Sequence, residues 1–94
     1  MPLEIQPLKA IYDDDRDTVV FMGMDGARMV RCSVTRAALM SLARRRAQSA
    51  KEMLEAYRSH ARRIHGIAAT KYARRQLDID GTVLVLERDV EAAD

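Results

Sequence analysis

The sequence predicts an α+β protein: a small antiparallel sheet, made of a β-hairpin and a C-terminal strand, covered by two helices. Three observations carry this expectation. Two apolar runs flank the dipeptide Asp25-Gly26, apolar residues recur at helical spacing through the middle third, and a short apolar run follows at residues 82–87. Periods of 2 and 3.6 within one short chain place strands and helices around a shared core.

Ninety-four residues fit one domain, 1–94, with no room for a second core. A hydrophobic content of 48% argues against disorder, and an aromatic content of 4% means that aliphatic side chains must fill the interior. The lone Cys32 has no internal disulfide partner, which favours a reducing compartment. The first ten residues are broken by Pro2 and Pro7 and lack a basic segment followed by an apolar run, so no signal peptide is expected. No run approaches the roughly 18 apolar residues of a membrane span. The expected location is cytoplasmic.

Leu3, Ile5, Leu8, Ala10 and Tyr12 alternate weakly, so residues 1–12 read as an edge strand or an extended arm. Pro7 is tolerable in a strand only at an edge. Asp13, Asp14, Asp15 and Asp17 form a polar loop. Residues 19–24 and 27–34 then flank Asp25-Gly26, a dipeptide suited to a type I′ turn. A two-residue loop there pairs Phe21 with Val30 and Val19 with Cys32. Val19, Phe21, Val30, Cys32 and Val34 fall on one face, and Thr18, Val20, Met22, Met29, Arg31 and Ser33 on the other.

Thr35 is a favourable N-cap for a helix over 36–46, with Leu39, Leu42 and Ala43 as its apolar stripe and Arg44, Arg45 and Arg46 in its last turn. Ser49 and Glu52 form a capping box for a second helix. Met53, Leu54, Tyr57, Ala61, Ile64, Ala68 and Tyr72 share one stripe as far as residue 76. Unbroken, that helix is about 42 Å long, whereas a chain of this length is only about 32 Å across. Either Gly66 bends or breaks the helix, or one end projects and packs on another molecule. The same stripe takes in Lys71 and Arg75. Residues 82–87 (TVLVLE) are apolar on both faces and are expected inside the sheet, and residues 90–94 read as a frayed acidic tail.

The net charge of +2 conceals three segments. Residues 1–34 hold four basic and six acidic groups, residues 35–76 eleven basic and two acidic, and residues 77–94 one basic and six acidic. Few of these carry a recognisable chemistry. His60 and His65 are five apart, which points them to different sides of a helix, and metal pairs want four. His60 borders the apolar stripe and reads as a packed boundary residue. Cys32 alternates with Val30 and Val34 and reads as a small buried hydrophobe. The Asp13 to Asp17 cluster and Asp78-Ile79-Asp80-Gly81 lack the further ligands of a calcium loop, and turn chemistry accounts for them. The four glycines are scattered singly, so no phosphate loop exists. Glu52 and Glu55 read as partners of Lys51 and Arg58.

Residues 19–26 (VVFMGMDG) followed by 30–39 (VRCSVTRAAL) resemble the small bacterial family called domain of unknown function 1488. Leu54-Glu55-Ala56-Tyr57, with Ile64, Ala68, Lys71 and Tyr72, fits that family's long helix. The resemblance covers about residues 10–90. Met22 departs from it, since members often carry an aromatic residue after the hairpin Phe. The resemblance implies a compact bacterial cytoplasmic α+β protein and brings no activity, cofactor or catalytic residue with it.

The functional expectation is a non-enzymatic interaction module, self-associating through Val20, Met22 and Met29, with no cofactor, metal or membrane. The alternative is an electrostatic binder of nucleic acid or another polyanion. Its candidate residues are Arg44, Arg45, Arg46, Lys51, Arg58, Arg62 and Arg63, joined by Arg74 and Arg75. Against it stand the absence of interleaved aromatics and of helix-turn-helix spacing, and acidic flanks able to neutralise the basic segment.

Overall fold

The hairpin turns one residue later than the Asp-Gly signal places it. In the computed structural model, which describes residues 3–92, β2 (Thr18–Asp25) and β3 (Arg28–Thr35) are joined by Gly26 and Ala27. Asp25 pairs with Arg28, Phe21 with Cys32 and Val19 with Val34. A type I′ turn needs positive φ at both central residues. Here only Gly26 has it, at 62°, as in the II′ pattern that puts glycine first. The expected pairing of Phe21 with Val30 is thereby corrected by two residues. An even shift leaves every side chain on its expected face, and Val19, Phe21, Val30, Cys32 and Val34 are all buried.

β1 (Glu4–Asp13) lines the free edge of β2 in antiparallel register, with an irregularity between Gln6 and Ile11, the stretch that holds Pro7. A residue without an N–H is accommodated where the ladder is interrupted. The side chain of Leu8 lies outside those described.

The C-terminal strand departs further from expectation. β4 (Val83–Val85) pairs parallel to β3 and sits at the edge of a sheet ordered β1-β2-β3-β4. The sheet is therefore mixed, though mostly antiparallel. A long helical connection lets the chain return in the same direction. Val83 and Val85 are fully buried and Leu84 is half-buried on the opposite face, which explains a run apolar on both sides without a central position.

Four helices form: α1 (Arg36–Ala43), α2 (Ala50–Ser59), α3 (Ala61–Ala73) and α4 (Glu87–Ala92). The caps follow the sequence signals. Thr35 Oγ1 accepts from the Ala38 N–H at 3.2 Å, Ser49 Oγ from the Glu52 N–H at 3.1 Å, and Glu52 reaches back to the Gln48 N–H at 3.3 Å. α1 stops at Ala43 because Arg44 takes the left-handed conformation, φ 56°. Arg44, Arg45 and Arg46 thus lie beyond the helix, not in its last turn.

The long helix is broken, at His60 and not at Gly66. His60 leaves helical geometry at φ −119° and ψ 18°, its N–H shared between the carbonyls of Ala56 and Tyr57 at 3.2 Å each. The largest dimension of the molecule is 34 Å, too short for a straight helix of about 42 Å. The break lets each half lay its own stripe on the core, Met53, Ala56 and Tyr57 from α2 and Ile64, Ile67 and Ala68 from α3. Val90, expected in the frayed tail, is buried within α4, and Glu91 and Ala92 complete that helix. Ala93 and Asp94 lie outside the described residues.

One apolar cluster joins the inner sheet face to buried residues of all four helices. Gly66 takes no part in a bend, and a Cβ built there meets nothing within 4 Å. Gly66→Ala is therefore expected to raise the unfolding free energy by about 0.5–1 kcal/mol, the helix-interior cost of glycine. Urea denaturation of the two proteins checks it.

Candidate functional site

Cys32 is fully buried, its thiol 3.8 Å from the Val30 carbonyl, and burial pushes its pKa up to about 11. A thiol so held is not a nucleophile at neutral pH. Behind it lies a cluster built around the other histidine. The Tyr57 hydroxyl and His65 Nε2 are 2.6 Å apart, and the rings of Phe21, Tyr57 and His65 lie 5.2 to 5.6 Å from one another. Burial raises Tyr57 to about 12, helped by the neighbouring Cys32, and burial lowers His65. The two shifts keep the phenol protonated and favour the neutral imidazole, and the tautomer sets which of the two groups donates. His60 sits at the helix break. The eight-residue separation of Tyr57 and His65 matches no helical pairing rule, so only the fold brings them together.

The acidic loops are used for local structure. Asp13 Oδ1 accepts from the backbone N–H of Asp15 and Arg16, and Asp80 Oδ1 from the N–H and hydroxyl of Thr82. Asp17 binds the Tyr12 hydroxyl at 2.7 Å. It also lies 2.8 Å from Arg36 Nε, as an ion pair and not an aligned hydrogen bond. No group of three or more His, Cys, Asp or Glu among the described residues is placed to hold a metal. No helix among them is long and apolar enough to cross a membrane.

Arg44, Arg45 and Arg46 are exposed in the α1–α2 connection, Lys51 and Arg58 on α2, and Arg62 and Arg63 in the first turn of α3. Neither Glu52 nor Glu55 pairs with Lys51 or Arg58. Four carboxylates of the acidic flanks pair with other cations: Asp13 with Arg31, Asp17 with Arg36, Asp80 with Arg16 and Asp89 with Lys71. Arg63 Nη2 donates to the Val90 carbonyl at 3.4 Å. Arg44, Arg45, Arg46, Lys51, Arg58 and Arg62 make no ion pair among the described residues.

On the outer sheet face, register lines up Ile11, Val20, Ser33 and Leu84 in one row across four strands, with Met22 and Arg31, then Met24 and Met29, in the next rows. Helix packing is all on the other face. The apolar exposure is at Met29 (64%) and Ile11 (61%), whereas Val20 is only 6% exposed. Val20, expected to lie open, is buried. Met22 is half-buried.

Between α3 and α4 lies an open trough. Its larger part, about 550 Å³, is lined by Gly66, Ile67, Thr70 and Lys71 of α3, by Arg74 at its C-cap and by Asp89 of α4. Lys71, on the apolar side of α3 as its periodicity requires, is the hub. Its Nζ donates to the Leu84 carbonyl of β4 at 2.8 Å and to Asp89 Oδ2 at 2.7 Å, and the pair is 13% and 20% exposed. Asp89 Oδ2 also accepts from the Leu86 N–H at 2.8 Å, capping α4. Burial alone raises the Asp89 carboxyl, but the hydrogen bonds and charge of Lys71 and the Leu86 N–H outweigh it and hold the group below its ordinary value. The charge position of Lys71 is legible in sequence, but its partner eighteen residues away is not.

These features define a small α+β sheet-and-helix protein whose distinct surfaces are an open sheet face, a basic helical side and a cationic trough. The model of the family described as protein of unknown function DUF1488 matches residues 7–85, and the chain belongs to that family. Among solved structures, the chain is similar to a crystal structure of a DUF1488 protein of unknown function from Shewanella loihica PV-4. The TM-score is 0.84 at 14% identity, over 89% of this chain and 91% of that one, a likeness of fold. Comparison with curated proteins finds no match.

Lys71→Ala leaves a half-buried carboxylate and a strand carbonyl without their donor, and is expected to cost about 2 kcal/mol, less than a fully buried pair. Asp89 has a folded pKa below its unfolded value, so its contribution is present above about pH 4 and is lost as pH falls through the folded value. Acid denaturation followed by circular dichroism is expected to show a smaller loss below pH 4 in the variant.

Proposed function

We propose that the chain is a non-enzymatic interaction module that pairs with a second copy of itself through the open face of the sheet. The single observation that carries this reading is the apolar outer face, with Ile11 and Met29 more than half exposed and no helix packed on it. Charge favours a second copy as the occupant. Among the described side chains the outer face carries only Glu4, Asp13 and Arg31 as charged groups, the last two paired with each other at 3.5 Å. Two such faces meet without net repulsion, whereas two helical sides bring six unpaired cations against six.

The face measures about 19 by 27 Å from strand spacing and rise, or roughly 500 Å² per copy. That falls short of the roughly 800 Å² per partner of a standard interface, so the dimer is weak. Multi-angle light scattering is expected to show a mass that rises with concentration through the micromolar range. Ile11→Asp with Met29→Asp, both at exposed positions, should hold the protein at monomer mass. A concentration-independent monomer would overturn the reading. The non-enzymatic part is supported by a buried thiol and by a histidine committed to Tyr57.

A second reading, polyanion binding by the helical side, is favoured by the observation that six of its basic side chains make no ion pair among the described residues, the flank carboxylates that do pair taking other cations. It predicts retention on heparin that falls steeply with salt. Arg44→Ala, Arg45→Ala and Arg46→Ala together should shift elution to lower salt. No retention at low salt would sink it.

A further inference from the structure

We infer that the trough between α3 and α4 binds a small organic anion, one with a carboxylate or phosphate on an apolar body. The inference is independent of the self-association reading and uses none of the cations of the polyanion reading that the triple arginine variant removes.

The volume, about 550 Å³, lies within the range of small-molecule sites. A smaller depression of about 230 Å³, lined by Leu77, Leu84, Leu86 and Arg88, adjoins it, and both share Lys71 and Gln76. Lys71 therefore stands where the two parts meet.

The trough also has hydrogen-bonding capacity to spare. An ammonium has three N–H donors. Lys71 gives one to Leu84 and one to Asp89, and the third has no acceptor among the described residues. Arg74, at the C-cap of α3, makes no ion pair among the described residues, and neither does Arg88. Among the described residues the walls of the larger part carry Lys71 and Arg74 as available cations, Arg63 having partners of its own, and Asp89 as the carboxylate. Asp89 is already occupied by Lys71 and the Leu86 N–H. The unsatisfied capacity is thus for donating to an anion, and guanidinium and ammonium groups beside each other suit a carboxylate or a phosphate alike.

Gly66 and Ile67 line the trough beside the cations, and the Thr70 hydroxyl donates to the Gly66 carbonyl at 3.0 Å. A glycine weakens a helix interior, and at residue 66 no neighbour requires it, because a Cβ there would enter empty space. What the missing Cβ does provide is room over an apolar surface, next to the cations. An anion with an apolar body uses both, while a bare inorganic ion uses only the cations.

The test is a titration of the ¹⁵N-labelled full chain with three probes: benzoate, phenyl phosphate and inorganic phosphate. Saturable shifts of the Gly66, Thr70 and Arg74 amides are expected with at least one aromatic anion, and binding of inorganic phosphate about tenfold weaker. The two aromatic probes differ only in the acid, so their ratio assigns carboxylate or phosphate. Arg74→Ala should weaken binding at least about fivefold, and Gly66→Leu should abolish it by filling the trough. Gly66→Leu places its side chain in open space, so its retained amide spectrum separates loss of binding from loss of fold. The inference is overturned by the absence of saturable shifts with all three probes. Inorganic phosphate binding as tightly as the aromatic anions, or unchanged binding in both variants, overturns it equally.

Discussion

Because β4 runs parallel to β3, the chain has to travel back along the whole sheet between Thr35 and Val83 before it can pair again. Helices make that crossing, and the single hydrophobic cluster holds α1, α2 and α3 to one face. Among the described residues the helical side chains buried in that cluster all pack on the inner face. β4 itself is three residues long and pairs on one side only, so its ladder contributes little. What secures it is the burial of Val83 and Val85 and the ammonium of Lys71 on the Leu84 carbonyl. The same ammonium holds Asp89, and Asp89 in turn closes the first turn of α4 through the Leu86 N–H. One charged group thus ties the crossover helix, the strand it leads to and the helix that follows.

The crossing also fixes where the helix must break. Tyr57 and His65 stand on either side of His60 and bond to each other, so the two halves are joined across the bend by side chains where the backbone ladder is interrupted. At its other end α3 is pinned to the hairpin, the Tyr72 hydroxyl donating to Asp25 Oδ2 at 2.5 Å. Asp25, read as a turn residue that accepts positive φ, leaves that conformation to Gly26 and holds a helix instead.

What was legible in the chain is what local chemistry decides. Thr35 and Ser49 cap helices because a hydroxyl before an apolar stripe has few other uses. The faces of the hairpin were legible although the pairing was not, since a register error of two leaves the alternation unchanged. The parallel direction of β4 was not legible, because an apolar run has the same pattern whichever way it points. Nor was the break at His60: the apolar stripe continues smoothly through it, and Gly66 is the poorer helix former. The break answers to the 34 Å extent of the fold, a quantity no residue carries. Val20 illustrates the same limit within the sheet. Its outward phase was clear, but its burial was not, although the weak alternation over residues 1–12 had marked the edge strand that pairs with it.

The one-sided packing has a consequence for the surfaces. A single sheet layer separates the nearly neutral outer face from the helical layer, whose exposed cations lie on the far side. Two copies stacked through their sheets keep both helical layers outward, so pairing would leave the basic side unobstructed and double the number presented to one polyanion. Linked sites of this kind gain affinity through effective concentration without any new contact. The two readings of function therefore do not compete for surface. They differ in what they require of the sheet: self-association needs its apolar face, and electrostatic binding by a single copy needs only the helices.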